Sequence, residues 1–220
     1  MRAFATIYKC SNCQSSIRGI DYWSGNTIGG MSYSDTYISG AMKMPEDAMY
    51  IGCANCKKVF AKKDLEVIKQ YKEEEDLNGY DSAPKPLPDF EVIKTLLEDP
   101  KFNDGKNGKA FTLWYLWYFN HDLKPDQKKN ETDNGNYKKY TDRLIAVLDS
   151  EKDNINSVIL KAEILRERGE FDEVTKILDS VDQSKFNSIK IQSVFDEMKK
   201  RIAKKDSAVF ETTKKPDFIK

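Results

Sequence analysis

The sequence predicts an α+β protein, with a small β-rich N-terminal module followed by an all-α, helical-hairpin C-terminal domain. Three observations carry that prediction. Short β-favouring runs ("FATIYK", "SIRGIDYW", "DAMYIG") fall within the first 63 residues, a stretch rich in Gly, Ser, Tyr and Met. From residue 89 onward, apolar residues recur at helical spacing almost to the end. All four cysteines of the 220-residue chain lie in the first stretch, as "CSNC" and "CANC".

Composition narrows the classes of function. Hydrophobic residues make up 39% and aromatic residues 11%, enough to bury a core, so the chain is not a disordered one. Its 36 basic and 36 acidic residues cancel, which removes the global electrostatic footprint of a nucleic-acid binder. Locally, residues 1–63 carry eight basic and four acidic side chains. A membrane helix needs about 20 apolar residues, and "FTLWYLWYF" at Phe111–Phe119 is shorter and contains a threonine. No membrane partner is therefore expected. "MRAFATIYKC" lacks the apolar core of a signal peptide, so a cytoplasmic location is expected. Thiols there stay reduced, which favours metal binding over disulfides.

The elements follow in order. Residues 1–63 form the β-rich module. "KKDLEVIKQYKEEED" then reads as a helix, with Asp64 as N-cap and Leu65, Ile68 and Tyr71 on one face. Its acidic run, Glu73–Asp76, meets the unfavourable end of the helix dipole. "NGYDSAPKPLP", with prolines at 84, 86 and 88, reads as a linker, so residues 64–88 form a helix and Pro-rich linker. Residues 89–206 form the helical domain. Phe90, Ile93, Leu96 and Leu97 share one face, and Phe111, Trp114, Tyr115 and Tyr118 share the next. "DLKPDQKKNETDNGN" reads as a long polar loop. "YKKYTDRLIAVLDS", "NINSVILKAEILRERGEF", "DEVTKILDSV" and "FNSIKIQSVFDEMKKRI" are the remaining helices, and residues 207–220 a basic tail.

The cysteines carry the sharpest chemistry. A C-x-x-C pair closes a tight turn that presents two soft thiolates to one ion, and two such turns complete a tetrahedron. Cys10 and Cys13 form one knuckle, and Cys53 and Cys56 the other, each after a β-favouring run. This pattern resembles the zinc-ribbon class of four-cysteine domains over the first 63 residues. The resemblance implies a structural zinc, with iron in a four-thiolate shell as the minor alternative. Two features depart from the class. Gln14 and Lys57 stand where a knuckle often has Gly, and 39 residues separate the pairs, more than is usual. That insertion, containing "DYWSGNTIGGMSYSDTYISG", is expected to form an extra hairpin or excursion. A thiol-redox reading uses one pair and leaves the other idle, with no thioredoxin-like pattern around either.

"SVILKAEILRERGEFDEVTKILDSV" resembles a tetratricopeptide repeat, with Ala162, Leu165, Gly169, Phe171, Leu178 and Val181 at matching offsets. Val174 and Phe186 depart from the usual Ala and Pro, and no second copy follows. The plainer reading is one helix–turn–helix of an all-α domain. The whole architecture resembles a class of bacterial proteins to which no activity attaches.

These features point to a non-catalytic adaptor whose partner is another protein. The alternative is a nucleic-acid-binding ribbon in which Tyr22, Trp23, Tyr33 and Tyr37 stack on bases. Trp117 and Phe119 are further candidate interaction residues. "NDGKNGKAFT" falls short of a phosphate loop, with Asn103 for Gly and Ala110 for Ser or Thr. His121, the only histidine, has no nucleophile motif beside it, so no catalytic residue is assigned, and an enzyme with an unrecognised site is the less favoured alternative.

Overall fold

A computed structural model describes residues 2–24, 31–39, 49–72, 78–100, 105–186 and 189–212. The chain divides into two compact units, one of residues 1–30 and 39–111, the other of residues 31–38 and 112–220. The α+β class holds. A small antiparallel sheet lies N-terminally, and the remainder is mostly helical.

In the first unit, β1 (Arg2–Lys9) pairs antiparallel with β2 (Ser16–Ser24) on one side and β5 (Glu66–Gln70) on the other. β3 (Tyr50–Gly52) and β4 (Val59–Ala61) form a second hairpin. Tyr8, Ile17, Ile51 and Leu65 bury together with Cys10 and Cys53. The helix expected to start at Asp64 is instead strand β5. Leu65 and Tyr71 are buried, but Ile68, which a helix would bury beside them, is 49% exposed. Pairing with β1, continued by the Tyr71 N–H donating to the Ala5 carbonyl, overrides the local helical spacing. The acidic run Glu73–Asp76 lies outside the described residues.

The Pro-rich segment is bound to the strands rather than free. The Arg18 N–H donates to the Pro84 carbonyl at 3.1 Å, and the Leu87 N–H to the Gly52 carbonyl at 2.9 Å. After the short α1 (Asn78–Asp81), Pro88 leads into α2 (Asp89–Glu98), with Asp89 and Glu91 favourably placed in its first turn. α2 buries Val92, Ile93, Leu96 and Leu97 and packs against β3 and β4. It therefore belongs to the cysteine-bearing unit rather than to the helical one.

α3 (Gly105–Trp117) carries the aromatic stripe and contains the boundary between the units. It ends in a π-helical turn, Tyr118–Asp122, closed by the Leu123 N–H donating to the Tyr118 carbonyl. The expected polar loop is largely a helix, α4 (Pro125–Asp133). Proline at the first helical position and the Gln127 carboxamide accepting from the Lys124 N–H start it. α5 (Asn136–Ser150), α6 (Ile155–Glu167), α7 (Phe171–Ser180) and α8 (Ile189–Ala203) follow, each packed on the one before. Asn154 caps α6. Gly169, at φ +76°, ends it, with the Glu170 N–H returning to the Leu165 carbonyl and the Gly169 N–H to that of Arg166. Ala162, Leu165, Val174 and Leu178 bury between α6 and α7 with Phe195 and Met198 of α8.

Part of the expected tail is built in. The Phe210 ring is 6% exposed, and residues 210–212 pair with residues 32–34, through Ser34 N–H to the Phe210 carbonyl and Thr212 N–H to the Ser32 carbonyl. The buried Arg166 donates to the carbonyls of Asp206 and Ala208 and grips Glu163 through two nitrogens, at 2.8 and 2.6 Å. Residues 213–220 lie outside the described residues.

Candidate metal centre

Both knuckles are the turns of hairpins. Residues 10–15 join β1 to β2, and residues 53–58 join β3 to β4. Their bonding is the same. The Cys10 N–H donates to the Ser15 carbonyl and the Gln14 N–H to the Cys10 carbonyl, while Cys53 pairs with Lys58 and Lys57 with Cys53 in the same way. Gln14 and Lys57 both adopt the left-handed conformation, at φ 63° and 60°, the geometry glycine would have supplied. The ring of bonds forms without it. In each knuckle the first sulfur also accepts backbone N–H groups from the two residues at the turn, Asn12 and Cys13 for Cys10, Asn55 and Cys56 for Cys53.

The four Sγ atoms lie within 4.8 Å of one another. Two edges cross between the knuckles, Cys10 to Cys56 and Cys13 to Cys53, each at 3.6 Å. A zinc ion about 2.3 Å from each of four thiolates requires edges of about 3.8 Å. The sulfurs fit such an ion and are too far apart for disulfide bonds. Cys10 and Cys53 are buried and the other two part-exposed. Burial pushes the Cys10 thiol up to about 11, against the N–H groups of Cys13 and Asn12. The Ser15 hydroxyl and N–H, with the Asn55 carboxamide, hold Cys13 down to about 5. Burial would raise Cys53, but Ser15 and the N–H groups of Cys56 and Asn55 outweigh it and hold the thiol below its ordinary value. The contacts around Cys13 and Cys53 thus act in the direction of the thiolate, the form a cation binds. With four protein ligands, no position remains for water, so the ion a set like this takes is structural.

The other candidate residues are scattered. Tyr22 and Trp23 lie on β2, with side chains outside the described residues. Phe119 is 9% exposed, stacked on Tyr137 at 4.1 Å between ring centroids, so it is an interior residue rather than an interface one. Trp117 is part-buried, its Nε1 donating to the Asp35 carbonyl at 2.8 Å. Tyr33 and Tyr37 are not ribbon surface. They belong to the helical unit, where their rings pack on His121 at 4.7 and 4.1 Å.

Sequence reasoning missed the group around that histidine. The fully buried Asp35 carboxylate accepts from His121 Nε2 and Asn120 Nδ2, each at 2.9 Å, and from the Tyr37 N–H at 3.1 Å. Asn120 also donates to Glu167 Oε2 at 2.9 Å, and the Tyr137 hydroxyl to the same oxygen at 3.3 Å. Burial pushes Glu167 well above the usual carboxylate range, aided by the charges of Glu163 and Asp35 and opposed by Asn120 and Arg166. Asp35 and His121 are 86 positions apart, and no local signal links them.

No helix among the described residues is long and apolar enough to cross a membrane. No family model matches the chain, and neither the curated proteins nor the solved structures contain a match to it.

Proposed function

We propose that the chain is a non-catalytic binding protein, an adaptor whose N-terminal unit is held together by one structural zinc. The observation that supports the metal is the tetrahedral spacing of Cys10, Cys13, Cys53 and Cys56, two of them buried in the small apolar cluster of the first unit. That cluster is small for an independently stable domain, and a bound ion would contribute the missing folding free energy. Zinc is the favoured reading, with iron in the same four-thiolate shell as the minor alternative, because a closed tetrahedral set of four cysteines is the usual structural zinc shell. The resemblance of α6 and α7 to a tetratricopeptide hairpin favours a polypeptide partner, since stacked helical hairpins present extended surfaces to other chains.

Metal analysis by mass spectrometry on anaerobically purified protein, with a count of titratable thiols, tests the zinc. The expected result is one zinc per chain with four protected thiols. Reactive thiols without metal would overturn it and favour dithiol chemistry. Affinity capture at low and moderate salt, with and without nuclease, tests the partner. Protein capture is expected to survive both treatments. A steep salt loss abolished by nuclease would instead favour nucleic acid.

A further inference from the structure

The helical unit contains a cavity of about 690 Å³ beside the Asp35–His121 pair. This lies in the size range of small-molecule sites. Its wall is built rather than incidental. The π-helical turn at Tyr118–Asp122 adds a residue to the end of α3 and carries Asn120 and His121 on the cavity wall. Such turns concentrate at functional sites. The His121 ring is fixed on three sides, by the Asp35 carboxylate at Nε2 and by the rings of Tyr33 and Tyr37. The Phe119–Tyr137 stack forms an aromatic wall.

Charge distinguishes the kind of ligand. Three cations line the cavity. Arg168 is paired with Asp142 at 2.7 Å and Glu170 at 2.6 Å, and Lys138 with Asp142 at 2.8 Å. Lys128 is part-buried, donates to the Asn120 carbonyl at 2.7 Å, and lies 5.8 Å from the centre of the Phe119 ring. Its charge meets no carboxylate among the described residues. On the same wall, Glu167 Oε1 is shielded from solvent and has no hydrogen-bond partner among the described residues. Oε2 already accepts from Asn120 and Tyr137, so a proton held by this carboxyl, which burial pushes upward, sits on Oε1. That oxygen is then a donor lacking an acceptor among the described residues.

We propose that this cavity is a small-molecule site for a planar aromatic anion, its ring against Phe119 and Tyr137 and its charge on Lys128. The proposal goes beyond the adaptor reading and does not depend on it. A ligand of this class supplies the counter-charge Lys128 lacks and an acceptor for Glu167 Oε1.

Titration of the full-length protein with 1-naphthoate, followed by calorimetry and by NMR of the aromatic and histidine signals, tests it. Cyclohexanecarboxylate retains the charge without the aromatic ring, and 1-naphthalenemethanol the ring without the charge. Saturable binding at one site per chain is expected, about tenfold tighter than for either control, with shifts at His121, Phe119 and Tyr137. Lys128→Met should weaken binding about tenfold, and Lys138→Met, whose cation is already paired, should leave it within about twofold. Equal binding of all three compounds, insensitivity to Lys128→Met, or shifts confined to other residues would overturn the proposal. So would the absence of saturable binding. None of these outcomes bears on the zinc or on a protein partner.

Discussion

Gln14 and Lys57 occupy left-handed backbone positions that cost a non-glycine residue roughly 1–2 kcal/mol. In the sequence their identity looks like a departure from the knuckle pattern, and in the structure the knuckle closes regardless. Two backbone hydrogen bonds in each turn impose the conformation. The four clustered cysteines were fully legible, because C-x-x-C encodes a short-range geometry. Glu167 was not, since nothing near it in the sequence reports its burial. Its titration gives a testable consequence. Unfolded, the carboxyl titrates near its ordinary value of 4.5, and folded it keeps its proton to higher pH. Between those values the folded chain holds one more proton, so stability is fully present below the lower value and declines as pH rises. The slope is about 1.4 kcal/mol per pH unit. The groups around it, Glu163, Asp35, Arg166, Asn120 and Tyr137, act on the same carboxyl. Urea denaturation should show stability declining as pH rises from the ordinary carboxylate range, and Glu167→Gln should flatten the decline. An unchanged slope in the variant would mean another group carries the proton.

At the scale of elements, periodicity succeeded where packing agreed with it and failed where a distant partner intervened. Helices α2 and α5 to α8 were legible because their apolar residues recur at helical spacing and each buries that face. β5 was misread because Leu65, Ile68 and Tyr71 satisfy a helical period, whereas β1, remote in sequence, supplies an unpaired edge. α4 was misread because its composition is polar throughout, and only one of its residues, Glu131, is buried, bonded to the Tyr115 hydroxyl at 2.9 Å. The Pro-rich segment was misread as a linker because its contacts, Leu87 on Gly52 above all, leave no local pattern. A Cβ at Gly52 would lie 2.7 Å from both Cβ and Cδ1 of Leu87. Gly52→Ala should therefore push the segment off β3, next to the second knuckle, and destabilise the N-terminal unit by about 1–3 kcal/mol. Chelator competition would read the same change as weaker metal retention. Unaltered metal retention and melting would show that Leu87 yields without cost.

The whole molecule is two units whose sequences interleave. Residues 31–38, between the two cysteine pairs, belong to the helical unit, where Ser32 and Ser34 pair with Phe210 and Thr212. The long spacing between the knuckles thus carries Asp35 to His121. The helical unit nevertheless has its own apolar clusters, one around Leu144, Leu148 and Ile164 and another around Leu178, Phe195 and Met198. Replacing Cys10 and Cys53 together by Ser should remove the metal and unfold the first unit while most of the helical circular dichroism persists. Loss of the whole helical signal in one step would show a single cooperative unit. The sequence by itself determined the two C-x-x-C turns whose four cysteines the fold brings together, the order of a β-rich part before a helical one, and most helices, because each turn and helix rests on residues a few positions apart. Tertiary structure alone decided that residues 66–70 are a strand, that the Pro-rich segment is bonded to the strands, and that Asn120, His121 and Glu167 share one cavity wall with the buried Asp35 bonded to the first two. Those outcomes depend on pairing and burial between residues far apart in the chain, which spacing along the sequence does not encode.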